Sequence, residues 1–93
     1  MAEVTYTSDG IRAEIRKMIS HLTEREPEEI SDTADYMEEL GVDSLMAMEV
    51  MIAMDRKFGV DIPEEEFSKA KNINESVAMV EQWLAAKANT ATA

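Results

Sequence analysis

Cysteine is absent from this 93-residue chain, which excludes disulfides and thiolate metal sites. No apolar run approaches the roughly 20 residues of a membrane span. The first residues, Met1-Ala2-Glu3-Val4, lack the basic and apolar regions of a signal peptide, so the expectation is a soluble cytoplasmic protein. Basic residues are scarce, nine against twenty acidic ones, for a formal net charge of −11. Such a balance disfavours nucleic acid and anionic membranes, both of which are bound mainly through Lys and Arg. It favours basic partner surfaces, although a plainly solvated small surface would look the same. Internal repeats are missing. The many carboxylates do not take the Asp/Asn spacing of an EF-hand loop, and no metal site is expected.

Strand patterning is missing too, since no stretch alternates cleanly over a strand's length; helical spacing dominates. A first helix is predicted to begin after Thr7-Ser8-Asp9, capped by Ser8 or Asp9, with an apolar stripe at Ile11, Ile15, Met18, Ile19 and Leu22. It should fade near Thr23, before Pro27. A long connection from about Glu24 to Asp43 follows, pinned by Ile30, Tyr36, Met37, Leu40 and Val42, with a helical turn expected at Asp35–Leu40. Gly41 suits a tight or left-handed backbone position. Gly59 is placed as the C-terminal stop of a second helix. Pro63 is placed at the first position of a short third helix, Glu64 to about Lys69. Asn74 is expected to cap the last helix, whose stripe is Val77, Val80 and Leu84 flanked by Met79 and Trp83. The fold class is therefore all-α, a small four-helix bundle of three main helices and one short one with a long first loop. The expected boundaries are a flexible N-terminus 1–7, a domain 8–86 and a disordered tail 87–93. A chain of this size buries only roughly 60–65% of its unfolded surface, enough for one thin core.

The second helix, Ser44 to Phe58, carries two apolar stripes. Ala47, Val50, Met51, Met54 and Phe58 form one; Leu45, Met48, Glu49, Ile52 and Arg56 form the other, offset by about 200°. One face can pack inward while the other is a candidate docking surface, unless both are buried. At the helix start stands Gly41-Val42-Asp43-Ser44-Leu45. A serine at such a junction is a good N-cap, and an anionic group on its oxygen would lie near the positive end of the helix dipole. On that reading, Ser44→Ala would cost about 1 kcal/mol for the lost cap.

With its flanks, Asp35-Tyr36-Met37-Glu38-Glu39-Leu40-Gly41-Val42-Asp43-Ser44-Leu45 resembles the phosphopantetheine attachment region of acyl carrier proteins. A second segment, Phe58-Gly59-Val60-Asp61-Ile62-Pro63-Glu64-Glu65-Glu66, is similar to that family's passage from its second to its third helix. The resemblance spans roughly Ile11 to Leu84. It implies that Ser44 holds 4′-phosphopantetheine taken from coenzyme A by a phosphopantetheinyl transferase, and that Asp43 helps the transferase and other partners bind. It implies docking by Leu45, Met48, Glu49 and Ile52 onto acyl-transfer and condensing enzymes with basic surfaces, from a monomer that carries acyl chains for fatty-acid or polyketide-type biosynthesis. Acyl chains could fold back among the helices, where Met46, Met48, Met51 and Met54 would be adaptable packing. Met46, Arg56 and Lys57 stand where carriers of primary fatty-acid synthesis commonly have acidic residues, and Phe67 to Asn72 is a few residues longer. A specialised or polyketide-type pathway is therefore equally open.

Other classes fit the residues less well. Ser44, His21 and an aspartate formally suffice for a hydrolytic triad, but His21 is the only histidine, and no Gly-x-Ser-x-Gly elbow is present. His21 is read instead as a surface residue near a helix end, and no catalytic residue is assigned. An aminoacyl or peptidyl carrier would share the chemistry of Ser44. An unmodified acidic interaction module would share the fold and leave the serine hydroxyl idle.

Overall fold

A computed structural model describes residues 7–92, with side chains to residue 86. Its elements are α1 (Ser8–Thr23), a 3-10 turn (Pro27–Glu29), α2 (Ser44–Phe58), α3 (Glu64–Phe67) and α4 (Ile73–Thr92). The all-α bundle with a long first connection is as the sequence predicts. α1 packs against both α4 and α2, and α2 against α3. Ile11, Ile15 and Ile19 project from α1 into a core completed by Val50, Met54 and Phe58 of α2, Phe67 of α3, and Ile73, Val77 and Val80 of α4. Met18, Leu22, Met79, Trp83 and Leu84 pack around its margin, half-buried.

Helix ends correct several details. Thr7, not Ser8 or Asp9, caps α1: its Oγ1 accepts the Gly10 amide at 3.0 Å, while Ser8 and Asp9 already lie in the first turn. α1 stops where Glu24 takes a left-handed backbone (φ 57°) and its amide returns to the Ser20 carbonyl. Pro63 occupies the cap position before α3 rather than its first helical residue, and that helix ends at Phe67 rather than near Lys69. α4 begins before Asn74: Asn72 is the cap, its Oδ1 accepting the Glu75 amide at 2.9 Å. The helix then stays helical to Thr92, beyond Ala85, from which the sequence predicts a frayed tail. Of the predicted flexible N-terminus 1–7, residues 1–6 lie outside the described residues.

The connection from α1 to α2 is fastened at two points near its middle. Asp32 is clamped by Arg12, at 3.1 Å, and by Arg16, and its carbonyl accepts the Asn74 amide at 3.1 Å. The Tyr36 amide donates to the Lys71 carbonyl at 2.9 Å, tying the loop to the segment before α4. Of the five expected anchors, Ile30, Tyr36, Leu40 and Val42 are buried, but Met37 is 57% exposed. The turn at 36–40 lifts the Met37 side chain outward while Tyr36 and Leu40 point in.

Candidate functional site

The segment that delivers Ser44 is a single capped helical turn. Asp35 Oδ1 accepts the amides of Met37 (2.9 Å) and Glu38 (2.8 Å), while the Asp35 amide donates to Glu39 Oε2 at 2.9 Å. This reciprocal arrangement resembles a capping box with its returning acid one residue later, at i+4. The turn closes with the Glu39 and Leu40 amides on the Asp35 carbonyl, and the Val42 amide on the Tyr36 carbonyl at 2.8 Å. Gly41 lies between them at φ 72°. A Cβ there would meet nothing within 4 Å, so glycine is required by the backbone conformation and not by space. With Val42 buried, the chain re-emerges at Asp43 and enters α2.

Asp43 is the N-cap of α2. Its Oδ1 accepts the Met46 amide at 2.9 Å, and its carbonyl accepts the Ala47 amide at 2.9 Å. The sequence placed the cap on Ser44; the structure moves it one residue back. Ser44 is the first helical residue, exposed, and no described hydrogen bond engages its Oγ. The amides of the first helical turn lack intrahelical acceptors and carry the positive end of the dipole. A free primary alcohol therefore sits beside backbone donors suited to an anion. These features fit a phosphodiester at Ser44 Oγ, with Asp43 holding the helix start in place.

Ser44 also lines a cavity of about 310 Å³ enclosed by the capped turn, α2, α3 and the residues following α3. Its walls are largely apolar: Tyr36, Val42, Ala47, Met51, Phe67 and Ala70. Because Ser44, Met37, Met48 and Lys71 line it and are themselves exposed, the cavity opens to solvent near the start of α2. Tyr36 is its buried wall, with its hydroxyl 2.7 Å from Ser76 Oγ. Burial pushes the Tyr36 pKa up to about 12; the Ser76 hydrogen bond opposes this and the Glu75 charge adds to it. Ser76, 1% exposed on the inner face of α4, was not foreseen; a serine inside an apolar helical stripe was the available signal. The Asp32 clamp was missed as well, for its two arginines lie on another element.

The remaining expected site residues fall on the opposite face of α2 from the core. Leu45, Met48 and Ile52 are 66%, 43% and 49% exposed, and Glu49 is exposed beside them. His21 is exposed in the last turn of α1. It lines a shallower groove between α1 and α2 with Lys17, Glu14 and Glu49, whereas Ser44 lines the cavity between α2 and α3. A serine–histidine pair is therefore not assembled. No helix among the described residues is long and apolar enough to cross a membrane.

Comparison with known proteins agrees with this arrangement. The family described as "Phosphopantetheine attachment site" matches residues 13–80. An acyl carrier protein of Rickettsia bellii is 36% identical over 74 residues, 80% of this chain and 86% of the relative. Polyketide-8 synthase acyl carrier protein 2 of Streptomyces avermitilis is 32% identical over 73 residues, 78% of this chain and 83% of the relative. A meromycolate extension acyl carrier protein of Mycobacterium tuberculosis is 30% identical over 76 residues, 82% of this chain and 66% of the relative.

Proposed function

The chain belongs to the acyl carrier protein family, and from that premise we propose that Ser44 is the residue on which it holds 4′-phosphopantetheine. The observation that carries this reading is an exposed serine hydroxyl, without a described hydrogen bond, at the first residue of α2 and on the opening of an apolar cavity. Ser44 Oγ attacks the pyrophosphate of coenzyme A on a separate transferase. A phosphodiester forms, the bond to the adenosine bisphosphate breaks, and the serine proton passes to the transferase. The thiol of the attached group supplies the chemistry, binding acyl chains as thioesters. The protein's own contribution is position: Asp43 fixes the start of α2, the helix N-terminus would favour the phosphate's negative charge, and the cavity would offer apolar walls to cargo.

Residues 8–86 form the working unit, acting as a monomer. Leu45, Met48, Glu49 and Ile52 dock partner enzymes through a small apolar patch with acidic neighbours, which favours charge-steered encounter and fast release. The pathway is fatty-acid or polyketide-type, and Met46, Arg56 and Lys57 leave a specialised route equally open. Intact-protein mass after incubation with coenzyme A, magnesium and a broad-specificity phosphopantetheinyl transferase tests the central claim. One added phosphopantetheine, absent from Ser44→Ala, is expected. A folded protein that gains no mass, while a known carrier does so alongside it, would instead be an unmodified interaction module.

A further inference from the structure

The outward stripe of α2 does not stop at Ile52. Arg56 follows one turn later, and at about 100° per residue it falls with Leu45, Met48, Glu49 and Ile52 inside an arc of about 100°. Arg56 is exposed, and no described ion pair engages it. The adjacent basic residue is otherwise committed: Lys57 pairs with Glu14 at 3.6 Å on another side of the helix. Neighbouring Asp55 turns to the Ile62 amide, accepting it at 3.3 Å. The docking face is thus bipolar along its length. From the Ser44 end, Leu45 and Met48 come first, the Glu49 carboxylate lies mid-face, Ile52 follows it, and the Arg56 guanidinium, without a described ion pair, marks the far end. Glu49 and Arg56 are seven positions apart, a rise of about 10 Å.

We propose that Arg56 is a selectivity residue of this face. It fits an acyl-transfer partner enzyme that places a carboxylate about 10 Å along its docking surface from the cation meeting Glu49, and it rejects one whose surface is basic throughout. The proposal rests on the reading of α2 as the partner-docking helix. A guanidinium is never neutral at physiological pH and is recognised bidentately by a carboxylate. Facing a lysine or arginine across a desolvating interface it is repulsive, and rejection of wrong partners is as much a part of specificity as attraction to the right one.

Binding of the unloaded protein to an immobilised bacterial 3-ketoacyl synthase tests this, the synthase being one whose docking surface carries lysines and arginines and no carboxylate. Arg56→Glu should lower Kd at least fivefold, with Arg56→Gln between it and the wild type. Lys57→Glu shifts the formal charge of −11 by the same two units in the same helical turn but on another side, and should change Kd less than twofold. Equal gains in both variants would reduce the effect to overall charge and overturn the proposal, as would no gain or a loss in Arg56→Glu. Reversing to Glu the synthase cation that faces position 56 should then tighten the wild type and weaken Arg56→Glu; absence of that coupling also overturns it. The mass gain at Ser44 is read separately on the same variants, so failure of loading counts against the carrier reading and leaves the docking comparison intact.

Discussion

Asp43 and Ser44 divide two tasks that a single residue might have been expected to perform. A serine that capped its own helix would spend an oxygen lone pair on a backbone amide and hold its hydroxyl in one rotamer. Here the carboxylate of Asp43 takes the Met46 amide, and no described hydrogen bond engages the hydroxyl next to it. The stability effects should therefore be the reverse of those read from sequence. Asp43→Ala should cost about 1 kcal/mol, the usual value of a lost cap, and slow loading through a frayed helix start. Ser44→Ala should shift stability by no more than about 0.5 kcal/mol while abolishing loading. Urea unfolding of both variants decides this, and a Ser44→Ala cost equal to that of Asp43→Ala would return the cap to the serine.

Among the elements, the helices were legible because their stripes are self-contained. The spacing of Ile11, Ile15 and Ile19, or of Val50, Met54 and Phe58, identifies a buried face without knowledge of what covers it. The two-sided nature of α2 was legible for the same reason. Cap residues were misplaced by one or two positions where Thr, Ser, Asp or Asn adjoin, since any of these side chains can accept from a first-turn amide and only the backbone path chooses among them. Interactions across long sequence separations left no pattern to read. Tyr36 and Ser76 are the clearest case, a loop residue and a helix residue joined in the core at 2.7 Å. This bond fastens the site loop to α4, and each partner alone is a buried polar atom. Tyr36→Phe should cost about 1–3 kcal/mol by stranding Ser76, as should Ser76→Ala by stranding the phenol. The double variant should cost clearly less than the two added together. Strict additivity in a double-mutant cycle would mean that the two hydroxyls do not depend on each other.

At the scale of the whole molecule, charge decides how the fold responds to its surroundings. A formal charge of −11 on a small domain repels itself, and the described ion pairs neutralise few of the carboxylates. Asp55 adds a local version of the same problem. Desolvation raises its pKa above the ordinary 3.8 and the charge of Asp61 raises it further, while the Ile62 amide pulls it down. An acid raised in the folded state binds its proton more tightly there than when unfolded. Its contribution to stability is complete below the unfolded value of 3.8 and is lost as pH rises through the folded value. Overall repulsion has the same sign in this range, because protonation of carboxylates relieves it. Tyr36 repeats the logic at the alkaline end, where stability is present below the ordinary 10.0 and lost as pH rises through about 12. The expected outcome is a urea midpoint that climbs as the pH is lowered from neutrality toward mild acidity, against the common pattern of acid destabilisation. Salt should flatten that climb by screening the surface share, since the Debye length falls from about 30 Å at 0.01 M to about 10 Å at 0.1 M. Asp55→Asn, which keeps an oxygen for the Ile62 amide, should flatten it further at constant salt. A midpoint that falls steadily on mild acidification would mean that carboxylates paired in the fold, such as Asp32 between its two arginines, outweigh both the crowding of like charge and the partial burial of Asp55.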